Sequence, residues 1–441
     1  MPKVKIVTFG CQANELDSAR MAGLLAQEGY ALTEDDQEAD LIILNGCSIR
    51  DKAEQKLYSR LGAFQARKAS RPGLTLGVAG CLAQREGAVL LRRFRGLDFV
   101  VGNGEHLAEL PQLLRRTDQG QGPQAATGEP TGVIPAGFPV LRDSPYRAWV
   151  GIMEGCDNFC AFCVVPKTRG RERSRPAVDV LREIEELCRR GYREITLLGQ
   201  TVNSYGFRLD PRVSFAWLLR QIDARVGAAV RVRFTTSHPK DITPDLIEAM
   251  ASLPSVCEHL HLPVQAGADA TLAAMQRGYT REAYLRTVQV FRAAVPEGAL
   301  TTDVIVGFPG ETREDFAETL SLMREAAFDA CFAFKYSPRP DTLAATLPAQ
   351  VPEEDKADRL AQVLALQDEL SVRRNQALVG RTLEVLVDRG LSKRASGLTA
   401  GRIRQNTIVH FVGEVPEGRL AHVRITGGTS HHLKGVLSPP S

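Results

Sequence analysis

The sequence predicts an α/β protein in three parts: an open parallel βα unit, a partial (βα)6 barrel and a small C-terminal β-barrel. Three observations predict it. Short β-rich runs alternate with helical stretches from Val4 to about Arg116, and a second such series runs from Tyr146 to about Gln376. Beyond Gln376, apolar residues recur at every second position between Gly-containing turns, which is a strand period. At ~100–200 residues per domain, a chain of 441 residues has room for all three.

In the first unit, 1–117, the β-rich runs are Val4–Thr8, Leu41–Leu44, Thr75–Val78 and Phe99–Val101, with helices of about three turns between them. Strands joined through helices run parallel, so the series makes an open sheet. Cys11, Cys47 and Cys81 follow the first three runs closely. Taken singly, each is more often a core residue. Open α/β sheets bind ligands at the carboxyl ends of their strands, however, and three cysteines placed there can converge on one site. The stretch 118–144 is rich in breakers (Asp118-Gln119-Gly120-Gln121-Gly122-Pro123, then Gly128-Glu129-Pro130) and reads as a linker.

In the second unit, 145–376, the expected strands are Ala148–Met153, Glu194–Leu198, Val230–Phe234, Glu258–Leu262, Leu300–Val306 and Cys331–Tyr336. Val178, Leu181, Ile184 and Leu187 form a helical stripe, with Pro176 suited to the first turn and Gly191 to the C′ position. Six βα units fit a partial barrel better than an eightfold one. A long helix, about Glu353 to Leu378, closes the unit. In the tail, 377–441, Leu383, Val385 and Val387 alternate with polar residues, as do Ile408 and His410, and Val423 and Ile425.

Hydrophobic residues make up 44% of the chain and charged residues 24%, an ordinary globular balance. A formal charge of +3 excludes a histone-like polycation and an acidic tail. The tail nevertheless holds nine Lys/Arg against four Asp/Glu, a net +5 that leaves −2 for the rest. Basic charge concentrated on a compact β-module is what a nucleic-acid grip needs. No apolar run reaches the ~18–20 residues of a membrane span, and Met1–Gly10 lacks a signal-peptide core, so a cytoplasmic protein without a membrane partner is expected. Nine cysteines in a reducing compartment are poor disulfide candidates, which favours metal or catalytic use.

Cys156, Cys160 and Cys163 form C-x3-C-x2-C directly after the strand Ala148–Met153. Structural zinc takes four ligands, and no fourth Cys or His lies nearby in sequence. Three cysteines instead leave one iron of a [4Fe–4S] cluster open to a cofactor or substrate. Phe159 and Phe162, between the ligands, either shield such a cluster, stack on an adenine, or simply pack in the core.

At these residues the chain resembles a known family. Gly155-Cys156-Asp157-Asn158-Phe159-Cys160-Ala161-Phe162-Cys163 resembles the radical S-adenosylmethionine (SAM) signature of methylthiotransferases. Thr8-Phe9-Gly10-Cys11-Gln12-Ala13-Asn14, Asn45-Gly46-Cys47-Ser48-Ile49-Arg50 and Gly80-Cys81-Leu82-Ala83-Gln84 resemble the same family's auxiliary-cluster motifs. Ser174-Arg175-Pro176, Leu197-Leu198-Gly199-Gln200, Thr235-Thr236-Ser237-His238-Pro239, His261-Leu262-Pro263-Val264-Gln265, Gly307-Phe308-Pro309-Gly310-Glu311-Thr312 and Tyr336-Ser337-Pro338-Arg339-Pro340 narrow the likeness to MiaB-type tRNA methylthiotransferases. One departure is Gly46, where that family is expected to carry Thr.

The resemblance implies a radical SAM barrel with a [4Fe–4S] cluster on Cys156, Cys160 and Cys163. It implies a second [4Fe–4S] cluster on Cys11, Cys47 and Cys81 that supplies sulfur, and a C-terminal TRAM RNA-binding domain. The implied reaction methylthiolates C2 of N6-isopentenyladenosine at tRNA position 37. SAM contacts are expected from Phe162, Gly199, Gln200, Asn203, Gln265, Gly307 and Gly310. An ordinary strand-to-helix turn, capped by Thr312 and Asp315, is the plainer reading of the two glycines. The implied partners are a tRNA anticodon loop, an electron donor such as flavodoxin or ferredoxin, and a sulfur- or cluster-supply protein.

Arg169, Arg171, Arg173 and Arg175 fall at every second position, so in an extended segment they share one face, either solvated or on tRNA phosphates. In the tail, Arg381, Arg389, Lys393, Arg394, Arg402 and Arg404 are the expected phosphate contacts. Cys188, Cys257 and Cys331 read as structural. His238, His259 and His261 read as hydrogen-bonders, and His431 and His432 as surface residues. Other readings stay open: threonylcarbamoyladenosine tRNA or an aspartate of a small-subunit ribosomal protein as substrate, or a non-catalytic iron–sulfur RNA-binding protein.

Overall fold

The computed structural model describes residues 1–129, 134, 137–391 and 397–438. Its first sheet contains β1 (Lys3–Phe9), β2 (Ala31–Leu32), β3 (Leu41–Gly46), β4 (Thr75–Gly80), β5 (Phe99–Val101) and β6 (Gln124–Ala126). They pair in the order β2-β1-β3-β4-β5-β6, and every pairing is parallel. β3 is buried along its whole length, as its unbroken run Leu41-Ile42-Ile43-Leu44 requires of a strand covered on both faces. Ile42 and Leu44 pack with Leu57, Leu61 and Phe64 on one face. Leu41 and Ile43 pack with Met21, Leu25 and Leu113 on the other.

The stretch expected to be linker is only partly so. Gln124–Ala126 pairs with Phe99–Val101 as the sixth strand. Three residues carry no countable period, although Ala126 is buried in the core of this unit.

The central unit places β7 (Arg147–Gly151), β8 (Met153–Glu154), β9 (Arg173–Ser174), β10 (Glu194–Leu198), β11 (Arg231–Thr235), β12 (His259–His261), β13 (Ala299–Val306) and β14 (Ala330–Lys335) along the chain. β7-β10-β11 and β12-β13-β14 are parallel sheets, linked by a bridge between Val232 and Val256. Together they form the six-stranded partial barrel, whereas β8 and β9 make a small antiparallel pair beside it. The helix Ala177–Arg189 buries Val180, Leu181, Ile184 and Leu187. Val178, expected in the stripe, is exposed because a 3.6-residue period sets it on the opposite side from the core. The closing helix, Glu353–Gln376, packs against β14.

The tail closes into a barrel of β15 (Thr382–Val387), β16 (Thr399–Arg402), β17 (Ile408–Val412), β18 (Leu420–Gly428) and β19 (His432–Leu437). Val385, Val387, Val409, Phe411, Val423 and Ile425 point inward, and their alternate neighbours face out. This barrel docks on the amino ends of the central strands. Arg231 donates to the Arg402 carbonyl at 2.7 Å, Arg233 to the Arg404 carbonyl at 2.7 Å, and Arg404 pairs with Glu258 at 2.8 Å. The first unit packs at the other, carboxyl end, where Arg20 meets Glu154 at 2.7 Å and Arg169 meets Asp17 at 2.6 Å. Among the described residues, no helix is long and apolar enough to cross a membrane.

Candidate functional site

The loop after β8 begins at Gly155, whose φ is 77° and whose Cβ, if present, would lie 2.1 Å from the Arg171 carbonyl oxygen. Only glycine serves there. Gln200 Oε1 accepts from Gly155 N at 2.6 Å, and the Gly170 carbonyl accepts from Cys156 N at 3.2 Å. On its far side the loop is held by Ala161 N donating to the Met275 carbonyl at 3.0 Å. The loop is therefore fixed from both sheets.

Each sulfur in this loop meets a donor. Asn158 N approaches Cys156 Sγ at 3.3 Å, and the Thr201 hydroxyl lies 3.2 Å from the same atom. Arg277 Nη1 donates to Cys160 Sγ at 3.2 Å, and Val165 N to Cys163 Sγ at 3.5 Å. Burial pushes the Cys156 thiol up and the Cys163 thiol up to about 12, so a bare thiol here stays protonated at neutral pH. A metal that replaces the proton reverses that preference, and the donors around the sulfurs suit thiolates. Among the described residues, no three His, Cys, Asp or Glu side chains are gathered as a single metal ion would need. The donor set is all sulfur, which fits iron–sulfur ligation.

Cys11, Cys47 and Cys81 lie at the carboxyl ends of β1, β3 and β4. Cys11 caps the sixteen-residue helix Gln12–Gln27, whose dipole favours negative charge at that end. Ile49 N donates to Cys47 Sγ at 3.3 Å, and Asn103 Nδ2 to Cys81 Sγ at 3.4 Å. Burial lifts Cys81 to about 12; the Arg169 charge opposes this, while the sulfurs of Cys47 and Cys11 are near enough to add to it. Gly46, the departure from the family pattern, has Leu57 Cδ1 2.5 Å from where a Cβ would stand. A threonine there would require the Leu57 side chain to shift.

Residues 3–102 match the model of the uncharacterized protein family UPF0004, and residues 150–323 match the radical SAM superfamily. A tRNA-2-methylthio-N(6)-dimethylallyladenosine synthase of Carboxydothermus hydrogenoformans is 48% identical over 98% of both chains. The enzyme of the same name from Geobacter metallireducens is also 48% identical, again over 98% of both. The chain belongs to the radical SAM family of tRNA-2-methylthio-N(6)-dimethylallyladenosine synthases. Its fold resembles that of the radical SAM methyltransferase TsrM from Kitasatospora setae, with a TM-score of 0.58 at 18% identity over 78% of this chain and 77% of that one.

As a member of this radical SAM family, the chain carries a [4Fe–4S] cluster and uses SAM. The residues expected to hold SAM divide into three groups. Phe162 is partly buried against the hydrophobic cluster that contains Ala161, Phe308 and Tyr336. Gln265 (φ 72°), Gly307 (φ 70°) and Gly310 (φ 84°) shape the carboxyl ends of the second sheet; a Cβ on Gly307 would lie 2.3 Å from Lys356 Cγ. The other three have structural duties: Gln200 fixes Gly155, Asn203 holds both backbone groups of His238, and Gly199 makes room for Met153.

The four alternating arginines do not share a face. Arg169 lies in the buried pair with Asp17, Arg173 bonds Glu105 at 2.8 Å, and Arg175 bonds Glu183 at 2.7 Å. The segment turns at Gly170 (φ 74°), so the extended-strand premise fails over its first half. Arg171 alone is exposed, stacked 5.1 Å from the Phe159 ring and bonded to Asp157. In the tail, Arg402 turns back on Asn406 and gives its carbonyl to Arg231, Arg404 docks on Glu258, and Arg381 pairs with Glu297. Arg389 lies just after β15, and Lys393 and Arg394 fall outside the described residues. Of the remaining cysteines, Cys188 and Cys331 pack against the central core and Cys257 is buried beside β12.

Sequence reasoning missed Arg277 and Asn103, which donate to cysteine sulfurs, and Thr201, whose hydroxyl is hydrogen-bonded to one. It also missed Arg424 and Lys434, the outward residues of β18 and β19. Alternation with Val423 and Ile425 was a sufficient signal for Arg424.

Proposed function

We propose that this chain methylthiolates C2 of N6-isopentenyladenosine at position 37 of tRNA. The observation that carries the reading is the pair of three-cysteine sets, held at facing strand ends and joined by the buried Asp17–Arg169 contact. The C2–H bond cannot be ionised by a side chain at neutral pH, so the chemistry belongs to a cofactor. Cys156, Cys160 and Cys163 would hold a [4Fe–4S] cluster, which when bound would supply the low-potential electron for one-electron chemistry on SAM.

This chain's own residues hold and shield that chemistry. Thr201, Asn158, Val165 and Arg277 direct hydrogen bonds at the three sulfurs. Phe162, Gln265, Gly307 and Gly310 border the SAM site. Cys11, Cys47 and Cys81 would hold a second [4Fe–4S] cluster, which would supply the sulfur, with the Asn103 amide and the Arg169 charge beside Cys81 to favour its thiolate. Arg171, Arg424 and Lys434 face the tRNA phosphates. A low-potential electron donor such as flavodoxin or ferredoxin and a sulfur-supply protein complete the cycle, which would run in the cytoplasm. The working units are a cluster-bearing N-terminal unit through Ala126, the radical SAM unit 145–376 and the TRAM unit from 377.

The two cysteine sets separate by substitution. Cys156→Ala abolishes 5′-deoxyadenosine formation, whereas Cys47→Ala leaves SAM cleavage but prevents thiolation, both read by chromatography of product and digested tRNA. Full product over repeated turnovers from the Cys47 variant would refute the sulfur-source role. Anaerobic analysis should return about eight iron and eight sulfide per chain. Mass spectrometry of the tRNA digest decides between the isopentenyl and threonylcarbamoyl substrates.

A further inference from the structure

Arg277 lies 117 residues beyond Cys160 in the chain, yet its Nη1 is 3.2 Å from the Cys160 sulfur. Its Nη2 donates to the Pro263 carbonyl at 2.9 Å, and its Nε to the Tyr279 hydroxyl at 3.0 Å. Tyr279 in turn donates to the Val264 carbonyl at 2.7 Å. The guanidinium is thus oriented through all three of its nitrogens, and only 5% of the residue is exposed. The turn that carries it is also tied by backbone to the cysteine loop, through Ala161 N and the Met275 carbonyl.

The charge itself is the unusual feature. Buried arginines elsewhere in this chain face carboxylates: Arg20 faces Glu154, Arg169 faces Asp17, Arg233 faces Glu194 and Arg359 faces Glu311. Among the described residues, no carboxylate lies within ion-pair distance of Arg277. A buried cation without a counter-charge is costly, by several kcal/mol in general. The acceptors present are two neutral oxygens and one cysteine sulfur, and only the sulfur can carry the compensating negative charge.

We infer that Arg277 is a positioning residue for electron entry: its hydrogen bond to Cys160 and its positive charge, paired with no carboxylate, favour the reduced state of the cluster on Cys156, Cys160 and Cys163. The inference rests on those cysteines holding the cluster. The step concerned is addition of one electron from a low-potential one-electron donor, which takes the cluster from its 2+ to its 1+ core with no bond made or broken. Reduction adds negative charge next to a fixed positive one. Hydrogen bonds to cluster sulfurs and local charge are the levers by which a protein sets such a potential.

The test is an anaerobic redox titration of the reconstituted full-length protein, following by electron paramagnetic resonance the signal that changes when SAM is added. Arg277→Met should lower the reduced-to-oxidised ratio at a fixed poise about tenfold, which is 59 mV for one electron. Arg277→Lys, which keeps the charge without the planar fork, should shift in the same direction by less. Tyr279→Phe removes a support but neither the charge nor the sulfur contact, and should titrate as wild type. A wild-type titration by Arg277→Met with full iron content overturns the inference, as does a Tyr279→Phe shift equal to that of Arg277→Met. Should the Met variant fail to take up iron, the Lys variant decides: an unshifted potential overturns the inference. A wild-type protein with no SAM-responsive signal would instead sink the cluster assignment, and this inference with it.

Discussion

Glu172 is buried two residues beyond Gly170, with Asp157 and Asp241 as its acidic neighbours and Arg208 and Lys240 as its basic ones. Burial first, and then the two carboxylates, raise it to about 7. Its Oε1 has no partner among the described residues. A carboxyl whose folded pKa exceeds its unfolded value holds its proton in the folded state longer than in the unfolded one. The folded state is therefore penalised as pH climbs from the unfolded value through about 7. Glu172→Gln should raise the Tm relative to wild type at pH 8 and leave it unchanged at pH 5, measured by scanning calorimetry. An equal shift at both pH values would sink the assignment. At this scale the placement of the six cysteines was legible: Cys11, Cys47 and Cys81 each follow a strand, and Cys156, Cys160 and Cys163 stand out by their spacing in the loop after one. Arg277 was not, because its partner is distant in sequence and nothing local distinguishes it from a surface arginine.

Elements were legible in proportion to their length. β10 and β5 fall where their apolar runs predicted, and the long closing helix begins at Glu353 as expected. The two-residue strands β2, β8 and β9 escaped, since a period of two cannot be recognised in two residues. The pair β8–β9 has a consequence for the arginine segment: it pins Arg173 opposite Glu154, beside Glu105, and takes it away from any external face. The helix Arg313–Ala326 shows how far local chemistry carries. Thr312 caps it by accepting from Asp315 N at 3.1 Å, and Asp315 reciprocates by accepting from Thr312 N at 2.9 Å. This pair was visible in the sequence as a threonine followed three residues later by an acid. Thr312→Ala should cost about 1 kcal/mol of stability by urea unfolding. At the other end Ala327 adopts a left-handed φ of 49°, so Ala327→Gly should return about 1 kcal/mol in the same assay. A neutral result for either would mean that the packed face, and not the termini, sets the stability of this helix.

At the scale of the molecule, a basic β-module was legible in the sequence, but which of its charges stay free was not. Docking consumed some of them. Arg402 and Arg404 face the amino ends of the central strands, where they meet Arg231, Arg233, Glu194 and Glu258. The cysteine loop lies at the carboxyl ends. β10 alone has five residues, which at ~3.3 Å each puts the two faces roughly 17 Å apart or more. A ligand that touches both must run along the outside of the barrel, and about five base pairs of a helical stem, at ~3.4 Å each, span that distance. Arg424 and Lys434 are the exposed basic residues on the tail strands that docking leaves available. The variant Arg424→Ala/Lys434→Ala should therefore bind full-length tRNA more weakly. The plot of log affinity against log salt should be shallower by about two, one for each phosphate no longer neutralised. A loop oligonucleotide too short to reach the tail should bind the variant and the wild type alike. If the short loop is weakened as much as the whole tRNA, the tail contacts the loop directly, and the opposite-ends arrangement does not describe the bound state.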